Sequence, residues 1–215
     1  MSEELYHPPE WISSKAHIAS MEQYREMYER SINNSDEFWT EQANHFSWYK
    51  KWEEVRSFNY DLNQGNIKIE WFKGGKCNIT SNCLDRHLET KGEQIAIIWE
   101  GNEPGENISL TYNELHREVC KFANVLKNYG VKKGDRVSIY MPMVIELAIA
   151  MLACARLGAV HSIVFGGFSP IALSDRIVDS SCKILITTDG GYRGEKPIAI
   201  KANADQAISL AEKQG

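Results

Sequence analysis

The sequence predicts an α/β fold: a parallel sheet layered with helices, preceded by a mainly helical, Trp-rich arm. Three observations carry this. From Tyr112 onward, helical and extended patterns alternate as helix–strand–helix–strand–helix–strand. That order implies a parallel sheet with right-handed crossovers. Strand-like runs end in flexible punctuation, at Gly166-Gly167 and Gly190-Gly191. The first sixty residues differ from the rest and hold four of the six tryptophans: Trp11, Trp39, Trp48 and Trp52.

In the arm, Ser20-Met21-Glu22-Gln23 reads as a capping box, with Tyr24, Met27 and Tyr28 on one helical face. Ser35 is placed as the cap of a second short helix carrying Phe38 and Trp39. These aromatics bury only a small core, so residues 1–65 are expected to be an arm, and residues 66–215 the first part of a larger domain. Residues 67–72 (IKIEWF) alternate as a strand and turn at Gly74-Gly75. Residues 78–88 suit a helix with Ile79, Cys83 and either His87 or Leu88 near one face. Residues 94–99 read as a buried strand, GNEPGEN as a turn and residues 108–110 as the returning strand of a hairpin.

The strongest helix signal covers residues 112–129. Thr111 and Glu114 form a capping box, Gly130 stands at the left-handed C-terminal position, and Leu115, Val119, Phe122, Leu126 and Tyr129 make one stripe. Residues 136–141 are the next strand. Residues 145–157 form a helix apolar on most sides, with Ala148, Ala150, Ala153 and Ala155 allowing close approach between layers. This helix ends at Gly158, and a buried strand ends at Phe165. Ser169-Pro170 starts the next helix, residues 183–187 are a further apolar strand, and residues 203–213 a last helix. A doubly wound sheet continues beyond such a helix, so the chain is expected to be truncated. The sheet edge at 183–187 then lacks its partner, which predicts self-association.

The 215 residues carry a net charge of −5 and are 43% hydrophobic, enough for a packed core. The acidic balance argues against a general nucleic-acid surface. Five cysteines (Cys77, Cys83, Cys120, Cys154 and Cys182) form no compact framework, and no basic-then-apolar leader follows Met1. A reduced, cytoplasmic protein is the expectation. The longest apolar stretch, 141–168, is interrupted by Pro142, Glu146, Arg156, Gly158 and His161, which argues for core rather than membrane.

Ligands of open parallel sheets bind outside the carboxyl ends of the strands. The segment Tyr192-Arg193-Gly194-Glu195-Lys196 is therefore a candidate ligand loop bearing cations. Spacing alone favours a solvated loop for it. Phe165-Gly166-Gly167-Phe168 is either a ligand wall or a tight turn that needs glycine for positive φ. Cys77, Cys83 and His87 lack a fourth ligand and a Cys-x-x-Cys pair, so buried thiols beside a partnered histidine are expected rather than a metal site. Asp85-Arg86 and Asp175-Arg176 read as local charge pairs, and His161 as a satisfied core histidine. No Ser/His/Asp or Cys/His catalytic set is recoverable.

The blocks WFKGGKCNITSNCLDRHL, IYMPMVIELAIAMLACARLGAVHSIVFGGFSP and ITTDGGYRGEK resemble the acetyl-CoA synthetase family. This is the acetate-activating, AMP-forming branch of the adenylate-forming ligases, with propionyl-CoA synthetases as the nearest competitor. The resemblance covers essentially the whole chain. It implies a two-step reaction of acetate, ATP and CoA through acetyl-AMP, assisted by Mg2+. It also implies that Arg193, Gly194, Glu195 and Lys196 bind the CoA phosphates, with Phe165, Gly166 and Gly167 as a wall for its adenine and ribose. Glu195 departs from the smaller neutral residue commoner at its place. The family's phosphate loop ending Lys-Pro-Lys-Gly, its acetate-pocket tryptophan, its adenine-contacting loops and its C-terminal domain with the catalytic lysine are absent here. The chain is thus expected to be an N-terminal part with no catalytic residue of its own, inactive alone. A stand-alone CoA- or nucleotide-binding module is the non-enzymatic alternative.

Overall fold

The structure is a computed structural model that describes residues 6–214, without the side chain of Arg193. It divides into two compact units, with the chain boundary between Cys77 and Asn78.

The first unit holds α1 (Glu10–Ser13), α2 (Met21–Asn33), α3 (Ser35–Asn44), β1 (Glu54–Asn59) and β2 (Lys68–Lys73). Ser20 caps α2, its Oγ accepting from the Gln23 N–H at 3.2 Å. The Gln23 side chain turns back to the Ala19 N–H at 2.8 Å, one residue earlier than a closed capping box would take it. Asn34, not Ser35, is the N-cap of α3; Ser35 is its first residue and is buried. β1 and β2 pair antiparallel, with Arg56 opposite Trp71 and Phe58 opposite Ile69. The sequence reading missed β1. Phe72 of β2 packs with the Trp48 and Trp52 rings, the three centroids 5.0–5.5 Å apart. A Cβ on Gly75 would stand 2.7 Å from the Trp48 ring, so glycine is what lets the indole close over the turn.

In the second unit, residues 78–91 are not one helix. α4 (Ile79–Cys83) breaks at Leu84, a 3-10 turn follows over Asp85–His87, and α5 (Leu88–Lys91) resumes. The break turns Thr80, Asn82 and Leu84 inward and leaves Ile79 and Cys83 exposed, the reverse of the expected face. β3 (Ile95–Glu100) and β4 (Asn107–Thr111) form the expected hairpin. β3 is not buried, because the side facing away from the core is open, with Ile98 71% exposed.

α6 (Tyr112–Asn128) starts at the expected capping box: the Glu114 N–H donates to Thr111 Oγ1 at 3.2 Å and the Thr111 N–H to Glu114 Oε2 at 2.8 Å. Leu115, Val119 and Leu126 are buried as the stripe requires, joined by Ala123. Tyr129 is 74% exposed, because the helix has already ended there.

β5 (Arg136–Met141), β6 (Val160–Phe165) and β7 (Ile184–Thr187) form a parallel sheet in the order β6-β5-β7. α7 (Ile145–Leu157) connects β5 to β6, and α8 (Pro170–Ser180) connects β6 to β7. β8 (Gly191–Arg193), β9 (Lys196–Ile198) and α9 (Ile200–Glu212) follow. Alternate residues of β5 feed two cores. Val137, Ile139 and Met141 pack with α6 and α7, while Tyr140 packs with Val164 and with Leu173 and Ile200 of α8 and α9. Gly158 caps α7 at φ +72, a left-handed conformation that costs other residues about 1–2 kcal/mol. β6 was expected to be buried, but it is an edge strand, and Val160, Ile163 and Phe165 are exposed.

Candidate ligand site

The chain leaving β5 passes to the α7 face, whereas the chains leaving β6 and β7 pass to the α8–α9 face. That reversal falls at the carboxyl end of β5, the usual ligand position in such sheets. Pro142 lies at this end, between two glycines. A Cβ on Gly166 would stand 3.0 Å from the Met141 carbonyl oxygen, and one on Gly191 3.3 Å from Pro142 Cγ. Neither Gly166 nor Gly167 has φ in the left-handed range, so the positive-φ explanation of this pair fails. Gly166 is needed for close approach instead, and a Cβ on Gly167 would strike the Phe165 ring at 2.7 Å.

The Phe165 and Phe168 rings meet edge to face at 6.0 Å, and Phe165 is 62% exposed. The carbonyl of Phe168 accepts from Tyr140 Oη at 2.8 Å, and Asn203 Nδ2 reaches the same hydroxyl at 3.4 Å. The buried Tyr140 thus ties the loop after β6 to the centre of the sheet. Arg176 does not pair with Asp175 among the described residues. Its guanidinium sits 4.6 Å over the Phe168 ring, and its Nη1 donates to the Ala172 carbonyl.

The candidate cation loop is a hairpin rather than a free loop. β8 and β9 pair antiparallel, with Arg193 opposite Lys196, and Gly194-Glu195 is the turn. Gly194 has φ +60, as the first central residue of a two-residue hairpin turn demands. Gly194, Glu195 and Lys196 are exposed, while the Arg193 side chain lies outside the described residues. Asp189 opens the approach to β8: its Oδ1 accepts from Thr188 Oγ1 at 2.9 Å and from the Gly190 N–H at 2.8 Å. The Thr188 hydroxyl, then the Gly190 N–H, hold its carboxyl below the usual range, so it is anionic at neutral pH.

Two residues outside this segment reach the site. Trp99 Nε1 donates to the Met143 carbonyl at 2.7 Å, and Asn102 Nδ2 to the Gly194 carbonyl at 2.9 Å. The sequence reading assigned neither a role, because these contacts join residues 44 and 92 positions apart.

Elsewhere, the described ion-pair partners of Asp85 are Arg156 and His116 rather than the adjacent Arg86. Asp85 Oδ1 takes Arg156 and also His116 Nε2 at 3.3 Å, while Arg86 donates to Asn82 Oδ1 at 3.4 Å. Cys120 Sγ lies 3.5 Å from the same His116 nitrogen, so Asp85 and the thiol share one imidazole nitrogen and no relay through the ring exists. Cys77 and Cys83 are exposed thiols rather than buried ones. Burial pushes the Cys154 thiol up to about 11. Among the described residues no three His, Cys, Asp or Glu side chains converge as a metal site. Nor is any described helix long and apolar enough to cross a membrane.

The acetyl-coenzyme A synthetase N-terminus family matches residues 24–83, and the AMP-binding enzyme family residues 84–214. An acetyl-coenzyme A synthetase of Saccharophagus degradans is 59% identical over 206 residues, which cover 95% of this chain and 31% of that protein. Acetyl-coenzyme A synthetase 2 of Pseudomonas aeruginosa is 52% identical over 210 residues, 97% of this chain and 32% of that protein. The chain therefore spans about a third of the length of these curated relatives. Among solved structures, the acetoacetyl-CoA synthetase from Streptomyces lividans superposes with TM-score 0.80 at 23% identity, over 94% of this chain and 30% of that one. With its second unit matched almost throughout, the chain belongs to the AMP-binding enzyme family.

Proposed function

We propose that this chain is the N-terminal part of an acetyl-CoA synthetase, and that its strand-end loops hold the nucleotide end of CoA. The observation that carries the reading is identity of 50–59% to acetyl-coenzyme A synthetases over nearly the whole chain. In the intact protein, an acetate oxygen attacks the α-phosphorus of ATP and pyrophosphate leaves. The CoA sulfur then attacks the acyl carbon of acetyl-AMP, and AMP leaves. No residue of this chain takes a covalent part.

The chain's share is recognition. The nucleotide end of CoA carries a phosphomonoester and a diphosphate, and cations offset that charge. Arg193 supplies planar, paired donors and Lys196 a point charge. They occupy facing positions of one hairpin, and Gly194 between them leaves the backbone open to a phosphate. Glu195 at the turn sets a negative charge beside them. Phe165, Gly166 and Gly167 offer an exposed ring and a space without side chains for the adenine and ribose. The Mg2+ that the family reading implies has no convergent donor set among the described residues, and no step is derived through it. A reduced cytoplasmic setting fits the exposed thiols of Cys77 and Cys83.

In the intact protein, Arg193→Ala should raise the KM for CoA and leave the KM for acetate nearly unchanged. A charge-assisted contact is worth roughly 1.5–3 kcal/mol, or about ten- to over a hundredfold in affinity. Steady-state kinetics with each substrate varied in turn reads the result. Equal damage to the CoA, ATP and acetate constants would mean that Arg193 only supports the loop.

A further inference from the structure

We infer that Asn102, at the turn of the β3–β4 hairpin, is a positioning residue that sets the β8–β9 hairpin over the carboxyl end of the sheet. The inference rests on the reading of that hairpin as the CoA loop.

Three-residue strands make a hairpin that is marginal alone. Its base is pressed into the fold, since a Cβ on Gly191 would lie 3.2 Å from Ile200 Cδ1 and 3.3 Å from Pro142 Cγ. Its tip has no such support. Tyr192, Gly194, Glu195, Lys196 and Pro197 are exposed, and nothing lies within 4 Å of where a Gly194 Cβ would be. Among the described residues, one side chain from outside the hairpin reaches this tip: Asn102, whose amide donates to the Gly194 carbonyl at 2.9 Å.

Asn102 is itself held. The Gly101 N–H bonds to the Glu106 carbonyl at 2.6 Å and the Glu106 N–H to the Glu103 carbonyl at 3.1 Å, closing the turn on itself. Gly101 has no room for a side chain, with Glu106 Oε2 2.6 Å and the Trp99 ring 3.1 Å from its Cβ position. Trp99, three residues before Asn102, roots the same hairpin on the Met143 carbonyl just past β5. The β3–β4 hairpin thus touches the site at two places, the end of β5 and the tip of β8–β9. A bond at the Gly194 carbonyl ties the turn between Arg193 and Lys196 to a hairpin rooted at the end of β5.

The test compares Asn102→Ala, and Asn102→Gln, which keeps the donor on a longer stem, with the unaltered intact protein. Amide hydrogen exchange and substrate kinetics are both measured. Asn102→Ala should speed exchange in residues 191–198 alone and raise the KM for CoA roughly two- to tenfold, the range for one neutral hydrogen bond. The kcat and the KM for ATP should stay unchanged, and Asn102→Gln should recover part of both effects. Unchanged exchange in residues 191–198 would overturn the inference. Faster exchange with an unaltered KM for CoA would overturn it too. In that case Lys196→Ala separates the causes: no effect on the KM for CoA means that the CoA reading of the hairpin has failed, and a raised KM that Asn102 alone does not position it.

Discussion

β5 and the β8–β9 hairpin approach each other at Pro142 and Gly191 and are held by different forces. Val137 to Met141 are buried, β5 is paired on both edges, and its alternate residues enter two apolar cores. The hairpin is exposed along most of its length and is fixed by a packed base and one amide at its tip. Burial of apolar area makes β5 a platform whose position no single polar contact decides. The hairpin draws its position from a few hydrogen bonds, as exposed loops do, and can move at low cost.

That contrast can be broken first from the platform side. Leu173 is fully buried against Tyr140 and Val164. Leu173→Ala should cost about 2–5 kcal/mol, read by urea unfolding, and should weaken the whole second unit rather than one substrate's binding. Loss confined to the hairpin would mean that the platform is not the common support. A smaller change tests whether platform helices also depend on single polar contacts. Thr111→Ala removes one half of the α6 capping box and should cost about 1 kcal/mol, again by urea unfolding. The same cap carries a pH dependence. The Thr111 N–H, then its hydroxyl, hold the Glu114 carboxyl below the ordinary glutamate range. The stability it adds is complete above that range and is lost as the pH falls through the lowered folded value. Melting temperatures measured from pH 7 downward should therefore fall in acid, and the Thr111→Ala penalty should shrink there.

The platform was legible because its signals are local. The Thr111-to-Glu114 spacing, the stripe from Leu115 to Leu126 and the Gly158 cap each lie within one element, and each stands where the pattern placed it. The parallel direction of β5, β6 and β7 followed from their alternation with helices. Burial was less legible: Ile98 and Phe165 are apolar residues on exposed strand faces, and local sequence does not say which face is covered. β1 escaped because its EVRSFN pattern carries two charges, and its strand state comes from pairing with β2.

At the candidate site, the local turns were readable and the contacts that fix them were not. The Phe165–Phe168 turn and the Tyr192–Lys196 segment were found from glycine placed after apolar runs. Their fixing contacts, Tyr140 to Phe168 and Asn102 to Gly194, join residues 28 and 92 positions apart. Asp85 shows the same limit, since its partner Arg156 is 71 residues away while the adjacent Arg86 points to Asn82. Asp85 and Arg86 are adjacent in one 3-10 turn, yet their side chains reach different partners.

On the proposed function, the β8–β9 hairpin receives the phosphate-bearing end of CoA. Amide hydrogen exchange of the intact protein, with and without CoA, tests it most directly. Exchange in residues 191–198 and 165–168 should slow on adding CoA, and change less on adding ATP alone. Unaltered exchange in both segments at saturating CoA would contradict it.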